Sequence, residues 1–268
     1  MPDVDLAYLF GLPPEQAVAY LKKKGFAFSW DWEEVWQAAH AKAFTVAKAM
    51  RLDILQDIRD AVTRALAEGR TLRQFQQELT PLLQAKGWWG RPLLGDGAGG
   101  AVQVQLGSPR RLRTIYEVNL QTSYMVGRYQ SMMENVTARP YWMYVAVLDS
   151  RTRPAHRALH GTIARYDSPF WNHFYPPNGW RCRCRVRSLT KDQAIAMVQN
   201  GQGVWVDEKS LGTTEKLITP RTGELAEVAT YRIGERIVSP DVGWSYNPGK
   251  AAWQPDLNKY DPEVRRLW

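Results

Sequence analysis

The sequence predicts an α+β fold. A helical N-terminal region at 1–87 is followed, across a Gly-rich linker at 88–108, by a compact mixed α/β domain with a small sheet at 109–250 and an arm at 251–268. Three observations predict it. Apolar residues recur at helical spacing through much of the first 134 positions, with capping residues at the breaks. From Arg139 onward the period changes to short β-prone runs between turn signals. Between these parts, residues 87–109 carry seven glycines and two prolines, the clearest change of composition in the chain.

The elements follow in order. Pro13 and Pro14 suit a helix start, and the pattern predicts a helix over 15–24 that stops at Gly25. Ser29 can cap a second helix, with Asp31, Glu33 and Glu34 near its positive end and Trp32, Val35, Trp36 and Ala39 at helical spacing. A third, over 53–68, aligns Ile54, Ile58, Ala61, Val62, Ala65 and Leu66 and ends at Gly69. Thr71 with Gln74 forms a capping-box signature for the next, where Leu72, Phe75 and Leu79 face inward and Thr80-Pro81 should kink or restart the chain. The glycines of 87–109 lack the spacing of a phosphate-binding loop, so the stretch reads as a flexible connector. A long helix is expected over 110–134. Arg110, Arg111 and Arg113 crowd its start, where cations are mildly unfavourable, so an anion or plain solvent should meet them. Residues 141–148 read as a buried strand. Thr190 and Gln193 can cap a helix running to Val198, and 204–249 holds short β-prone runs with turns at 220–223 and 247–249. The tail, with few core positions, reads as an arm.

With 268 residues, 44% hydrophobic and 12% aromatic, the chain can bury a core, which excludes global disorder. A net charge of +8 suits a polyanion or an acidic protein as partner, and equally suits a solvated basic surface. Twelve tryptophans favour an interface. Two cysteines spaced C-x-C do not make a disulfide framework and fit a reducing compartment. No run of about 18 apolar residues is present, so no membrane span is expected. The acidic N-terminus lacks the basic region of a signal peptide.

The costly chemistry concentrates in 149–186, which holds His156, His160 and His173, both Cys182 and Cys184, and Pro176-Pro177-Asn178-Gly179-Trp180. Three readings compete. A metal site, with zinc as the natural ion, would take His156 and His160 from one helix face and add Cys182 and Cys184. Zinc sites more often use C-x-x-C, however, and no glutamate stands inside the histidine pair. A catalytic site would use Asp149, His156 and a thiol. The alternation of Arg181, Arg183 and Arg185 with the cysteines puts those charges on the opposite face of a strand, where they cannot activate the thiols. A structural reading has Asp149, Arg151, Thr152, Arg153 and Pro154 pin a loop near Gly161, with Asp149 accepting from the Thr152 N–H and the proline pair leading rigidly into a turn. It accounts for the residues most simply.

At these positions the chain resembles a known family. D-x-R-T-R-P-x-H-x-x-L-H-G from Asp149 to Gly161, D-x-P-F-W ending at Trp171, and P-P-N-G-W-x-C-R-C-x-V from Pro176 to Val186 look like the phage Mu F-like minor head proteins, the phage head morphogenesis family. The strong motifs lie within 113–186. The Ala-Leu-x-x-Gly-x-Thr-x-x-x-Phe run before them and Gly243-Trp244-x-Tyr246-Asn247-Pro248-Gly249 after them are also similar. The resemblance implies a virion protein that acts in head assembly near the portal, with the portal protein or major capsid protein as partners, packaged double-stranded DNA as a further contact, and no membrane. It implies location in the virion, at the head interior or portal region, after assembly in the host cytoplasm. It implies no enzyme activity. Many relatives carry cysteines where this chain has Arg153 and His156, and a histidine near Gly179, so Arg153 and Gly179 break the metal set that the family suggests. Related domains occur fused to toxin modules, for which this chain offers no extra length. Arg110, Arg111, Arg113, Arg181, Arg183 and Arg185 are the residues expected to face phosphate or an acidic partner. A metal-binding or catalytic domain, hydrolase or toxin-like, built on the His/Cys cluster is the alternative.

Overall fold

The computed structural model describes residues 14–95, 100–220 and 223–252. The arms expected at the two ends fall outside these residues, apart from their inner edges. Helix α1 (Pro14–Lys23) opens at a proline, with Glu15 in its first turn and Lys22 and Lys23 in its last, so its charges oppose the helix dipole. Ala17, Tyr20 and Leu21 turn inward. Strand β1 (Gly25–Phe26) then prepares a two-residue parallel pairing with a later segment.

The helix expected from Ser29 does not form. The Ser29 hydroxyl is hydrogen-bonded to Thr45 Oγ1 at 2.7 Å instead of capping a helix. Glu34 instead accepts from the backbone of Trp30 and Asp31, closing a single 3-10 turn, Trp32–Glu34, and Gln37 takes φ 39° beyond it. The aromatic spacing serves distant partners. Trp32 meets Trp36 at 5.9 Å and Trp180 at 6.0 Å between ring centroids, so a partner far along the chain overrides the local period. A short helix, α2 (Ala39–Lys42), leads into β2 (Ala43–Phe44), the partner of β1.

Helix α3 (Leu52–Glu68) buries the expected stripe, with Leu55 added, and ends where Gly69 at φ 64° donates its N–H to Ala65 O. A left-handed residue at that point favours glycine. Thr71 and Gln74 close a capping box that starts α4 (Leu72–Ala85), and Phe75, Leu79 and Leu83 are buried. Pro81 lies inside this helix on an exposed face and does not end it, because tertiary packing on either side holds the helix while one backbone bond is lost.

The Gly-rich stretch contains a hairpin of β3 (Leu93–Gly95) with β4 (Ala101–Gln103). Its flanks are packed: Trp88, Val104 and Leu106 join the first core, and Trp88 Nε1 donates to Lys48 O at 2.9 Å. Helix α5 (Pro109–Glu134) is the spine of the molecule. Ser108 caps it by accepting from Arg111 N at 3.2 Å. Its first half packs Leu112, Ile115, Tyr116 and Leu120 into the N-terminal core, and its second half gives Met125, Tyr129 and Met132 to a second core.

Strand β5 (Tyr141–Val145) runs antiparallel to β6 (Thr162–Arg165) and to β7 (Arg185–Leu189), and β8 (Val204–Trp205) adds parallel to β6, giving the order β7-β5-β6-β8. The connections carry α6 (Pro154–Ala158), α7 (Phe170–Phe174) and α8 (Lys191–Gln199), the last started by the Thr190–Gln193 capping box. A separate antiparallel meander of β9 (Leu211–Leu217), β10 (Leu225–Ile233) and β11 (Arg236–Val238) follows. Asn247-Pro248-Gly249, expected as a turn, opens a short helix, α9 (Pro248–Ala252), because Asn247 Oδ1 accepts from Lys250 N. Trp142 is fully buried in the second core, among Tyr129, Tyr166, Trp171 and Tyr175. No helix among the described residues is long and apolar enough to cross a membrane.

Candidate metal centre and its supporting loop

The site grows out of the C-terminal end of β5. Beyond it the chain turns at Asp149, whose Oδ1 accepts from Arg151 N at 3.0 Å and from Thr152 Oγ1 at 3.2 Å, while its backbone oxygen accepts from Thr152 N at 3.2 Å. Thr152 Oγ1 also donates to Val147 O. Arg183, arriving from the other side of the loop, grips the same carboxylate with both terminal nitrogens at 2.7 and 2.6 Å. Such a fork-on-carboxylate pair is directional as well as attractive. The hydrogen bonds from Arg183, above all, hold the Asp149 carboxyl well below the usual carboxylate range.

With the loop pinned, Pro154 occupies the first turn of α6 and the helix turns His156 inward, 3% exposed. Gly161 ties the far end of this segment to the sheet, its N–H reaching Tyr144 O at 2.9 Å. The opposing wall descends from Pro176-Pro177, joined by a cis peptide bond. Asn178 is buried, donates to His173 O at 3.1 Å and accepts from the Tyr144 hydroxyl at 3.1 Å. Gly179 has no room for a side chain, since a Cβ would lie 2.2 Å from Asp241 Oδ2. Arg153 fills the neighbouring space, donating to Trp180 O at 2.8 Å and standing 3.3 Å from Asp241. Arg181 takes φ 59° and pairs with Glu117 of α5.

Cys182 and Cys184 then enter the interior, both free thiols less than 5% exposed, just before β7 begins. His156 Nδ1 lies 3.6 Å from Cys182 Sγ and 3.7 Å from Cys184 Sγ, and the three donor atoms all fall within 4.8 Å of one another. Burial pushes the Cys182 thiol up, and its hydrogen bond to Cys184 lowers the latter. Gln121 of α5 braces the ribbon by donating to Cys184 O at 2.7 Å. His160 does not join the cluster. It is exposed on the surface, and its Nδ1 accepts from Ala146 N at 3.2 Å. His173 sits against Ser245, on the far side of the Asn178 turn. Trp171 anchors its segment by donating to Arg165 O and accepting from Asn247 Nδ2, both at 3.0 Å.

A profile described as "Phage Mu protein F like protein" matches residues 56–187, from within α3 to the middle of β7, and so takes in the whole His/Cys cluster. The chain belongs to the phage Mu protein F like family. Within the family it is 48% identical over 259 residues to "Putative capsid assembly protein F" of Escherichia phage Mu, covering 94% of this chain and 58% of that protein. It is 43% identical over 235 residues to "Mu-like prophage FluMu F protein" of Haemophilus influenzae, covering 85% of this chain and 55% of that one. This member therefore spans somewhat over half the length of the curated relatives it matches. No solved structure matches it.

The six arginines expected to face an anion have divided fates in this family member. Arg110 and Arg113 are exposed along the first turns of α5, Arg113 lying 3.5 Å from Glu117. Arg185 is half-buried on β7. Arg111 is turned inward, donating to Gln105 O, Leu106 O and Ala47 O and lying over the Trp88 ring. Arg181 and Arg183 are matched to carboxylates. Asp241, Glu117, Gln121 and Tyr144 build the site as much as the motif residues do. No local signal marks them, because each meets its partner only across the fold.

Proposed function

We propose that this protein is a minor head protein of a tailed bacteriophage, taken into the head during assembly in the host cytoplasm, near the portal, and set against packaged double-stranded DNA. The observation that carries the reading is the 48% identity, over 94% of the chain, to a protein whose name assigns it to capsid assembly. Its partners are then the portal protein or the major capsid protein. Arg110 and Arg113, exposed at one end of α5, are the arginines best placed for phosphate. Mass spectrometry of purified virions and precursor heads should find the chain at a fixed low copy number. Its absence from both particles would remove the proposal. In the Arg110→Glu/Arg113→Glu variant, the salt dependence of DNA retention should flatten by about two in log–log slope, about one for each phosphate no longer neutralised.

A second reading rests on the convergence of His156, Cys182 and Cys184. One nitrogen and two sulfurs suit zinc or another soft ion, which would cross-link the α6 loop to the ribbon before β7. The ground beside them, where relatives would add donors, is held by the Arg153–Asp241 pair, so the chain itself supplies three ligands. Both thiols are buried and Asp149 is committed to Arg183, which supports a structural lock over a hydrolase or toxin-like use of the cluster. Elemental analysis should give about one equivalent of zinc, lost in Cys182→Ala and His156→Ala. A metal-free, fully folded sample refutes the ion and leaves the hydrogen-bonded thiols as the lock.

A further inference from the structure

Away from the His/Cys cluster, a pocket of about 220 Å³ lies between the end of α1, the segment 29–47, the first half of α5 and the turn at 243–246. Trp32, Ile115, Val118, Trp180 and Trp244 form much of its wall. Three basic side chains, Lys24, His40 and Arg111, also line it, and among the described residues the lining includes no aspartate or glutamate. Lys24 is 8% exposed, and among the described residues its ammonium has neither a hydrogen-bond nor an ion-pair partner; the Tyr20 ring centroid lies 5.6 Å from it. Arg111 adds positive potential but little free donor capacity, because its guanidinium already serves three carbonyls.

A buried cation without a counter-charge is costly, and the walls around this one are aromatic and apolar. A ligand that places an anionic oxygen on Lys24 and a flat apolar body against the tryptophans satisfies both halves of the pocket at once. We propose that this pocket binds an aromatic carboxylate, with Lys24 as its counter-ion and Trp32, Trp180 and Trp244 as its clamp. The volume accommodates a single ring system on a short acidic arm. The carboxylate can come from a free small acid or from an aromatic C-terminal residue of another chain, since the recognising chemistry is shared.

Isothermal titration of the full chain with indole-3-propionate, with its amide, and with a pentapeptide ending in a free Phe carboxylate tests the proposal. The acid should bind, and the amide should bind at least tenfold more weakly. Tight binding of the peptide points to a chain terminus as the source, and binding of the small acid alone points to a free metabolite. Lys24→Met, which puts an apolar side chain of similar length in place of the unpaired charge, should weaken the acid at least tenfold. Val118→Trp keeps the cation but fills the space, and should abolish binding. Absence of acid binding to the unmodified protein, equal affinity for the amide, or unchanged affinity in Lys24→Met while the variant remains folded overturns the assignment.

Discussion

Stability should climb as the pH is raised from about 7 towards 9, at up to about 1.4 kcal/mol for each pH unit, and Lys24→Met should abolish that slope. Burial lowers the Lys24 ammonium from its ordinary 10.5 to about 7. Between those values the unfolded chain holds a proton that the folded chain has released, so raising the pH favours folding. Below about 7 both states are protonated and the full cost of burying the charge is present. His40 works in the same direction at lower pH. Burial, and then the charge on Lys24, lower it from 6.5 to about 4, so stability should also rise with pH across that window. At pH 7 and below, Lys24→Met should stabilise the protein by a few kcal/mol on an order-of-magnitude reckoning. Urea denaturation at pH 6, 7, 8 and 9 measures both effects. A flat profile in the unmodified protein, or a parallel slope in the variant, would show that the amine is not held in this environment.

The second large effect is expected at Trp142. Its side chain is fully buried and its ring lies 5.6 Å from Tyr129, 5.9 Å from Trp171 and 6.0 Å from Tyr175, so it ties β5 to α5 and α7. Trp142→Ala should cost about 3–5 kcal/mol through lost burial and the cavity left behind, enough to lower the melting temperature by roughly 10 °C. Trp142→Phe should cost much less. The Trp142 Nε1 has no hydrogen-bond partner among the described residues, so phenylalanine keeps most of the packing and removes an unsatisfied donor. Near-equal losses in the two variants would contradict this account.

Local chemistry was legible wherever it acts on its own neighbours. The Thr71–Gln74 and Thr190–Gln193 boxes start helices, Gly69 ends one in the left-handed region, and the apolar stripe at 54–66 is buried. The α+β class follows from the same signals. The spacing of Trp32, Val35, Trp36 and Ala39 misled, because the Trp32 ring packs on Trp180, which in turn meets Trp244, and no window of local sequence contains either partner. The arginines divide for a related reason. Alternation along the ribbon says which way a side chain leaves the chain, but Glu117 and Asp149 decide whether it remains free.

Sequence alone therefore determined the helices that cap themselves, the turn from helical to β-prone segments at Arg139, and the motif that places the chain among the Mu F-like proteins. Those properties depend on residues within a few positions of one another, or on their identity alone. The tertiary structure decided that His156 meets Cys182 and Cys184 while His160 stays outside, and that Lys24 ends in a pocket that holds no carboxylate among the described residues. Each of these depends on the distance between side chains brought together from different elements, which the folded backbone sets and linear spacing does not.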